Sequence, residues 1–248
     1  MSRLQLELAV QSVAGALVAR QAGADRVELC AALGATGGLT PSLAMTEAVV
    51  AAGLPVQVLI RCRPGPFLYD RDELRLMARD ITLALRAGAA GVVVGALTGP
   101  GDVDQAGLRY LHDAAQAAAP GCAVTFHRAM DVAIMAGRAE TALDALLAAG
   151  LTRVLTSGGA ERAVDGTPAL AALAAQAAGG IEIMAGGGVR PADIAALAQA
   201  GVSAVHLSAK GTVTWPGGST GPGGGTPTTE VTDPVLAREA AEAVARLN

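Results

Sequence analysis

Aromatic side chains are almost missing from this chain, with two Phe, two Tyr and one Trp in 248 residues. Lysine is scarcer still: Lys210 is the only one, so the positive charge is nearly all arginine, and the net charge is −4. Nucleic-acid binders show a basic face or stacking aromatics. With neither present, nucleic acid is not an expected partner. The three cysteines, Cys30, Cys62 and Cys122, are an odd number at wide spacing without a Cys-x-x-Cys, which argues against a disulfide framework and a zinc finger. Hydrophobic residues make up 52% of the chain, yet no apolar run approaches the roughly 20 residues of a membrane span. Met1–Val10 carries Arg3 and Glu7 and reads as a strand rather than a secretory signal. The expected location is the cytoplasm, with no membrane partner.

What is present is a rhythm. A helical stretch ends in Ala-Gly, and a Val/Ile/Leu-rich run follows, at Ala22-Gly23, Ala52-Gly53, Ala87-Gly88, Ala149-Gly150, Ala178-Gly179 and Ala200-Gly201. Glycine after a helix supplies the left-handed residue that closes it, and helices alternating with short strands predict βαβ units and a parallel sheet. Eight strands are expected at Leu4–Ala9, Arg26–Cys30, Val56–Arg61, Gly91–Leu97, Ala123–His127, Arg153–Ser157, Ile181–Ala185 and Ala204–Ser208. A helix follows each. Four of the helices start at proline, with Thr40 and Asp233 as N-caps before two of them. Eight repeats in a chain of this length favour a single closed (β/α)₈ TIM barrel, an α/β fold, over residues 1–248. No Gly-x-Gly-x-x-Gly follows the first strand, so an open dinucleotide fold is disfavoured and no nucleotide cofactor is expected. The Gly/Pro/Thr-rich stretch 212–230 breaks the rhythm and reads as a βα loop after strand eight, either structureless or a lid carrying Trp215.

Strand parity says which residues face the barrel interior. Alternate positions point to the helices and should be apolar. That puts Leu4, Leu6 and Leu8 outside with Glu7 inside, Val27 and Leu29 outside with Arg26, Glu28 and Cys30 inside, and Val58 and Ile60 outside with Gln57 and Arg61 inside. Thr125 and His127, Glu182 and Met184, and His206 and Ser208 also face in. Buried charge is costly unless paired or liganded. Glu7, Arg26 and Glu182 fit an ion-pair plug, whereas Glu28, Arg61, His127 and Ser208 fall at strand C-termini, where catalytic groups of this fold sit. His127 is the expected acid or base, Glu28 its orienting or proton-accepting partner, and Arg61 with Arg128 a clamp for negative charge; Arg128 alternatively pairs with Asp131. Gly186, Gly187 and Gly188 form a glycine turn after strand seven that suits an anion, with Ser157, Gly158, Ser208 or the backbone near Lys210 assisting.

These segments resemble the CutC family of copper homeostasis proteins. The likeness is carried by Ala24-Asp25-Arg26-Val27-Glu28-Leu29-Cys30, by Gly37-Gly38-Leu39-Thr40-Pro41-Ser42, by Arg61 and Arg63, by Val124-Thr125-Phe126-His127-Arg128-Ala129-Met130-Asp131, by Leu155-Thr156-Ser157-Gly158, by Met184-Ala185-Gly186-Gly187-Gly188 and by His206. It implies a barrel, a cytoplasmic homo-oligomer and a copper role. Copper(I) prefers soft donors, and Cys30 with Cys62 on neighbouring strands is the expected thiolate pair. The interior carboxylate, cation and imidazole equally suit an enzyme of lyase, isomerase or hydrolase type acting on a small anionic or phosphorylated molecule.

Overall fold

Alternation of apolar and polar residues builds eight short strands that close on themselves. The structure is a computed structural model describing residues 3–216, 218, 220–222 and 227–248. The strands are β1 Gln5–Val10, β2 Arg26–Leu29, β3 Val56–Leu59, β4 Gly91–Val94, β5 Ala123–Phe126, β6 Arg153–Thr156, β7 Glu182–Gly186 and β8 Ala204–Leu207. They are parallel and pair in sequence order, with β1 and β8 joined to complete a (β/α)₈ barrel. Around them lie α1 Val13–Ala22, α2 Leu33–Thr36, α3 Leu43–Val50, α4 Arg71–Arg86, α5 Gln105–Ala118, α6 Ala129–Met135, α7 Ala139–Ala148, α8 Thr167–Ala177, α9 Ile194–Gln199 and α10 Pro234–Ala245. All six glycines of the Ala-Gly rhythm have left-handed φ, between 74° and 97°, so the repeated dipeptide does close helices.

The outward strand residues form one continuous core with the helices: Leu6, Leu8, Val27, Leu29, Val58, Ile60, Val124, Phe126, Ile183 and Val205 all belong to it. Burying each such side chain stabilises the fold by about 1.5–3 kcal/mol. Inside the barrel the apolar content is small. One cluster is Cys30, Leu59 and Val93, and another is Leu155, Met184 and Ala204. The remaining interior is polar: Glu7, Arg26, Glu28, Gln57, Arg61, Thr125, His127, Arg153 and His206 are all buried.

Some local expectations change. Asp233 caps α10 as expected, accepting from Val235 N and Leu236 N. Thr40 does not cap a helix: Ser42 caps α3, and the Thr40 hydroxyl accepts the Arg61 N–H at 2.8 Å instead, fastening the end of β3. The single helix expected after β5 is two, α6 and α7, separated by Gly137, which has φ 73°. The stretch after β8 is not structureless throughout. Lys210–Thr214 (β9) and Thr228–Thr232 (β10) pair as an antiparallel ribbon, and Trp215 donates from Nε1 to the Thr229 hydroxyl. Residues 217, 219 and 223–226 of that stretch, and residues 1 and 2 of the first strand expectation, lie outside the described residues.

Candidate active site

The barrel interior is organised from the floor upward by ion pairs. Arg26 donates to Glu7 at 2.6 Å and to Glu182 at 2.5 Å, and Arg153 donates to the same Glu182 oxygen at 2.6 Å. Register explains the contacts: Glu7 is the Cα partner of Arg26 across β1–β2 and of His206 across β1–β8. His206 Nδ1 meets Glu7 at 2.8 Å, and its Nε2 faces Glu28 at 3.4 Å. One imidazole thus stands between two carboxylates.

The charges shift accordingly. Burial alone would raise Glu7, but the His206 hydrogen bond and the charges of His206, Arg26 and Arg153 outweigh it and hold the carboxyl at about 2. Burial works against a charged His206, yet Glu7 and Glu28 raise it above its ordinary value. Glu28 is pushed up to about 7, chiefly by burial with Glu7 adding and His206 opposing. A carboxyl of this kind exchanges a proton near neutral pH, which an exposed one does not.

Above this chain lies a cavity of about 100 Å³ whose lining includes Glu28, Arg61, Phe67, His127, Arg128, Leu155 and His206. Arg61 is only 7% exposed. It donates to the carbonyls of Thr36, Gly38 and Gly65 at 2.8–3.0 Å and sits 5.0 Å above the Phe67 ring. Its Nε has no partner, and among the described residues no carboxylate is in ion-pair contact with it. His127 packs against Phe67, with ring centroids 4.6 Å apart. Gly95 makes room for it, since a Cβ there would lie 2.3 Å from the imidazole. The His127 Nδ1 accepts the Ala129 N–H at 3.1 Å, which leaves the ring proton on Nε2, and Nε2 is buried without a partner. Burial first and Arg61 second lower its pKa to about 3.

The expected partnership of Glu28 with His127 is therefore corrected. The imidazole beside Glu28 is His206, and His127 is a neutral donor rather than a group tuned to titrate near pH 7. Glu28, Arg61, His127 and Arg128 do share one cavity. Asp131 serves the neighbouring loop: it accepts from Arg128 at 2.7 Å, from Thr156 at 2.5 Å and from the N–H groups of Ser157 and Gly159 at 2.8 and 3.1 Å. Ser157 accepts from Arg128 and donates to Ala160 O. Gly158 N donates to Thr156. Gly186 packs against Leu155 and His206, and a Cβ on Gly187 would lie 3.0 Å from the Arg128 guanidinium carbon. Gly188 and Ser208 instead border an outer cleft with Arg162, Arg190 and Lys210, and Lys210 is ion-paired with Glu230.

The soft donors do not assemble as expected. Cys30 belongs to the interior cluster with Leu59 and Val93, while Cys62 packs against the outer core. Burial pushes the Cys30 thiol well above its ordinary pKa, with the Glu28 charge adding, which disfavours a thiolate. Among the described residues, the donors that converge are Glu7, Glu28 and His206, within 4.8 Å of one another. These are oxygen and nitrogen ligands, and Glu7 is already engaged by Arg26. The set does not fit copper(I), which selects thiolate and thioether.

Parity had placed His206 in the barrel but gave no reason to single it out; its significance depends on β8 closing against β1. Phe67, in the loop after β3, carried no signal beyond being one of two phenylalanines.

The chain matches the CutC family over residues 4–211. It is 46% identical over 152 residues to a CutC family protein of Agrobacterium fabrum, covering 61% of this chain and 57% of that protein. It is 48% identical over 154 residues to one of Xanthomonas axonopodis, covering 61% and 60%. Those alignments thus span somewhat over half the length of the relatives. A crystal structure from Streptococcus agalactiae, named as copper homeostasis protein CutC, superposes with a TM-score of 0.75 at 32% identity and covers 83% of this chain and 98% of that one. No described helix is long and apolar enough to cross a membrane. With the barrel, its charged interior and the sequence match in agreement, this chain belongs to the CutC family.

Proposed function

We propose that the chain is an enzyme for a small anionic molecule bound at the C-terminal mouth of the barrel, and that any link to copper is indirect. The observation that carries this reading is Arg61. Its cation is buried, held by backbone carbonyls and unmatched by any carboxylate among the described residues. Leaving a buried charge unpaired costs several kcal/mol, and a bound anion would remove that cost. Arg128, paired with Asp131, lines the same cavity, and Gly187 lies against its guanidinium. Glu28 with His206 supplies a proton-transfer pair, and His127 a fixed hydrogen-bond donor.

Copper handling comes from the name of the structural neighbour. The disposition of Cys30 and Cys62 gives it no soft site here, so we derive no step through copper. The test is a thermal-shift series with phosphate, sulfate, acetate and pyruvate on the wild type and on Arg61→Gln. A stabilising anion raises the melting temperature with concentration. At least one anion is expected to do so in the wild type and to lose most of its effect in the variant. Equal responses from both proteins would place the anion elsewhere.

A further inference from the structure

The groups lining the cavity restrict the chemistry more than the charge of the ligand does. Among the described residues, the lining contains no Ser, Thr, Cys or Lys. Acyl transfer through a hydroxyl or thiol therefore has no nucleophile there. The only lysine of the chain, Lys210, is paired with Glu230 outside the cavity, so no amine is placed to form a Schiff base. A single carboxylate, Glu28, lines the cavity, whereas paired-carboxylate hydrolysis of a glycoside needs two. What the lining does provide is one carboxylate with the His206 imidazole beside it, the donors of Arg61 and His127, Arg128 already paired with Asp131, and apolar walls from Leu33, Leu59, Phe67 and Leu155.

We infer that the site takes a proton from the carbon next to the carbonyl of a small 2-oxo acid, with Glu28 as base and His127 and Arg61 holding the enolate oxygen. This deepens the reading above and rests on it. The size agrees in direction: at about 100 Å³ the cavity is well below the roughly 300–1,000 Å³ of pockets for drug-sized ligands, so it suits a small molecule. The donor geometry agrees too. His127 presents Nε2–H and cannot act as a base, because Nδ1 is engaged by the Ala129 N–H. A neutral imidazole facing a carbonyl oxygen and a carboxylate serving as base is a known division of labour for enolisation.

The step balances without a co-reactant. The C–H bond breaks and its proton moves to a Glu28 carboxylate oxygen. The C–H electron pair becomes the C=C bond, and the carbonyl π pair moves onto oxygen, where His127 Nε2–H and Arg61 donate to it. Return of a proton from Glu28 to carbon regenerates the acid. His206, held by Glu7 at 2.8 Å and facing Glu28 at 3.4 Å, is a positioning residue that keeps the Glu28 carboxylate oriented.

The experiment follows exchange of carbon-bound hydrogen in deuterated buffer by proton NMR, with pyruvate and 2-oxobutyrate as probes and acetate as a control lacking the ketone. Binding is read in the same samples by saturation transfer. Wild type is expected to accelerate exchange of both oxo acids at least 100-fold over buffer and to leave acetate unchanged. Glu28→Gln should abolish the acceleration while keeping the saturation-transfer signal. His127→Phe should lose most of the acceleration, since one oxyanion donor usually contributes about 10²–10³-fold, again with binding retained. Binding of the oxo acids without exchange overturns this inference and leaves the anion site standing. Exchange that survives in Glu28→Gln overturns the assignment of the base. Absence of oxo-acid binding, with another anion raising the melting temperature through Arg61, overturns the substrate class; absence of any anion response overturns both readings.

Discussion

Glu28 and His127 face the same small cavity and are driven in different directions by it. In an unfolded chain Glu28 gives up its proton near pH 4.5, whereas in the fold it holds it to about pH 7. Between those values the folded state binds a proton that the unfolded state has lost, so this contribution to stability is complete below pH 4.5 and disappears as the pH rises through 7. Glu28→Gln cannot ionise. Chemical denaturation should find the variant more stable than wild type at pH 8 by about 3 kcal/mol, with little difference at pH 4.5. A difference that is the same at both pH values would show that Glu28 is not the titrating group. For His127 the window is the acid side. Its unfolded value is 6.5 and its folded value about 3, so wild type loses stability as pH falls through that range, by at most about 1.4 kcal/mol per pH unit. The His127→Gln variant should show a flatter acid limb in the same measurement. From sequence, parity alone identified both residues as interior. It could not say which imidazole would stand beside Glu28, because His206 lies 199 residues from its partner Glu7 and approaches it only when the last strand meets the first.

At the scale of elements, the ribbon after β8 is the least conventional piece. Glu230 of β10 ties it to the barrel mouth: it pairs with Lys210, accepts from Gln11 at 3.3 Å, and is held below its ordinary pKa chiefly by Lys210, with the Gly34 N–H contributing. The contact needs glycine at position 34, where a Cβ would lie 2.0 Å from Glu230 Oε1. Gly34→Ala should therefore detach the ribbon without opening the barrel. Limited proteolysis should cut between residues 210 and 232 sooner in the variant, with the melting temperature moving by no more than a few degrees; unchanged cleavage would show that Glu230 is not what fastens it. The ribbon escaped the sequence reading because Gly, Pro and Thr dominate its composition, while the pairing of Thr228–Thr232 with Lys210–Thr214 is set by register across a gap. Helix α6 escaped for a different reason. Ala129–Met135 is short, uncapped by a side chain and apolar almost all round, so it lacks the periodicity by which α4 and α5 announce themselves.

At the scale of the molecule, the Ala-Gly rhythm and the alternation of apolar residues made the closed barrel legible, and parity made its charged interior legible with it. What neither could supply is the order in which the interior charges pair, since that follows from which strands become neighbours. Arg26 is the central cation of the set, shared between Glu7 and Glu182. Arg26→Met would leave buried Glu7 and half-buried Glu182 without their common partner, and breaking a buried pair from one side costs about 3–5 kcal/mol. Urea denaturation should show a loss of that order, and a loss under 1 kcal/mol would mean that Arg153 alone neutralises Glu182.

The same run of contacts has a consequence for communication across the molecule. Glu182 opens partly to solvent at the floor, with 21% of its side chain exposed, while Glu28 looks into the mouth cavity. Between them Arg26, Glu7 and His206 are in contact one after the next. Among buried groups in direct contact, a charge gained or lost on one is felt by the next with little screening. The acidity of the mouth is then a property of the whole column, set by the charges beneath Glu28 as much as by the groups that line the cavity.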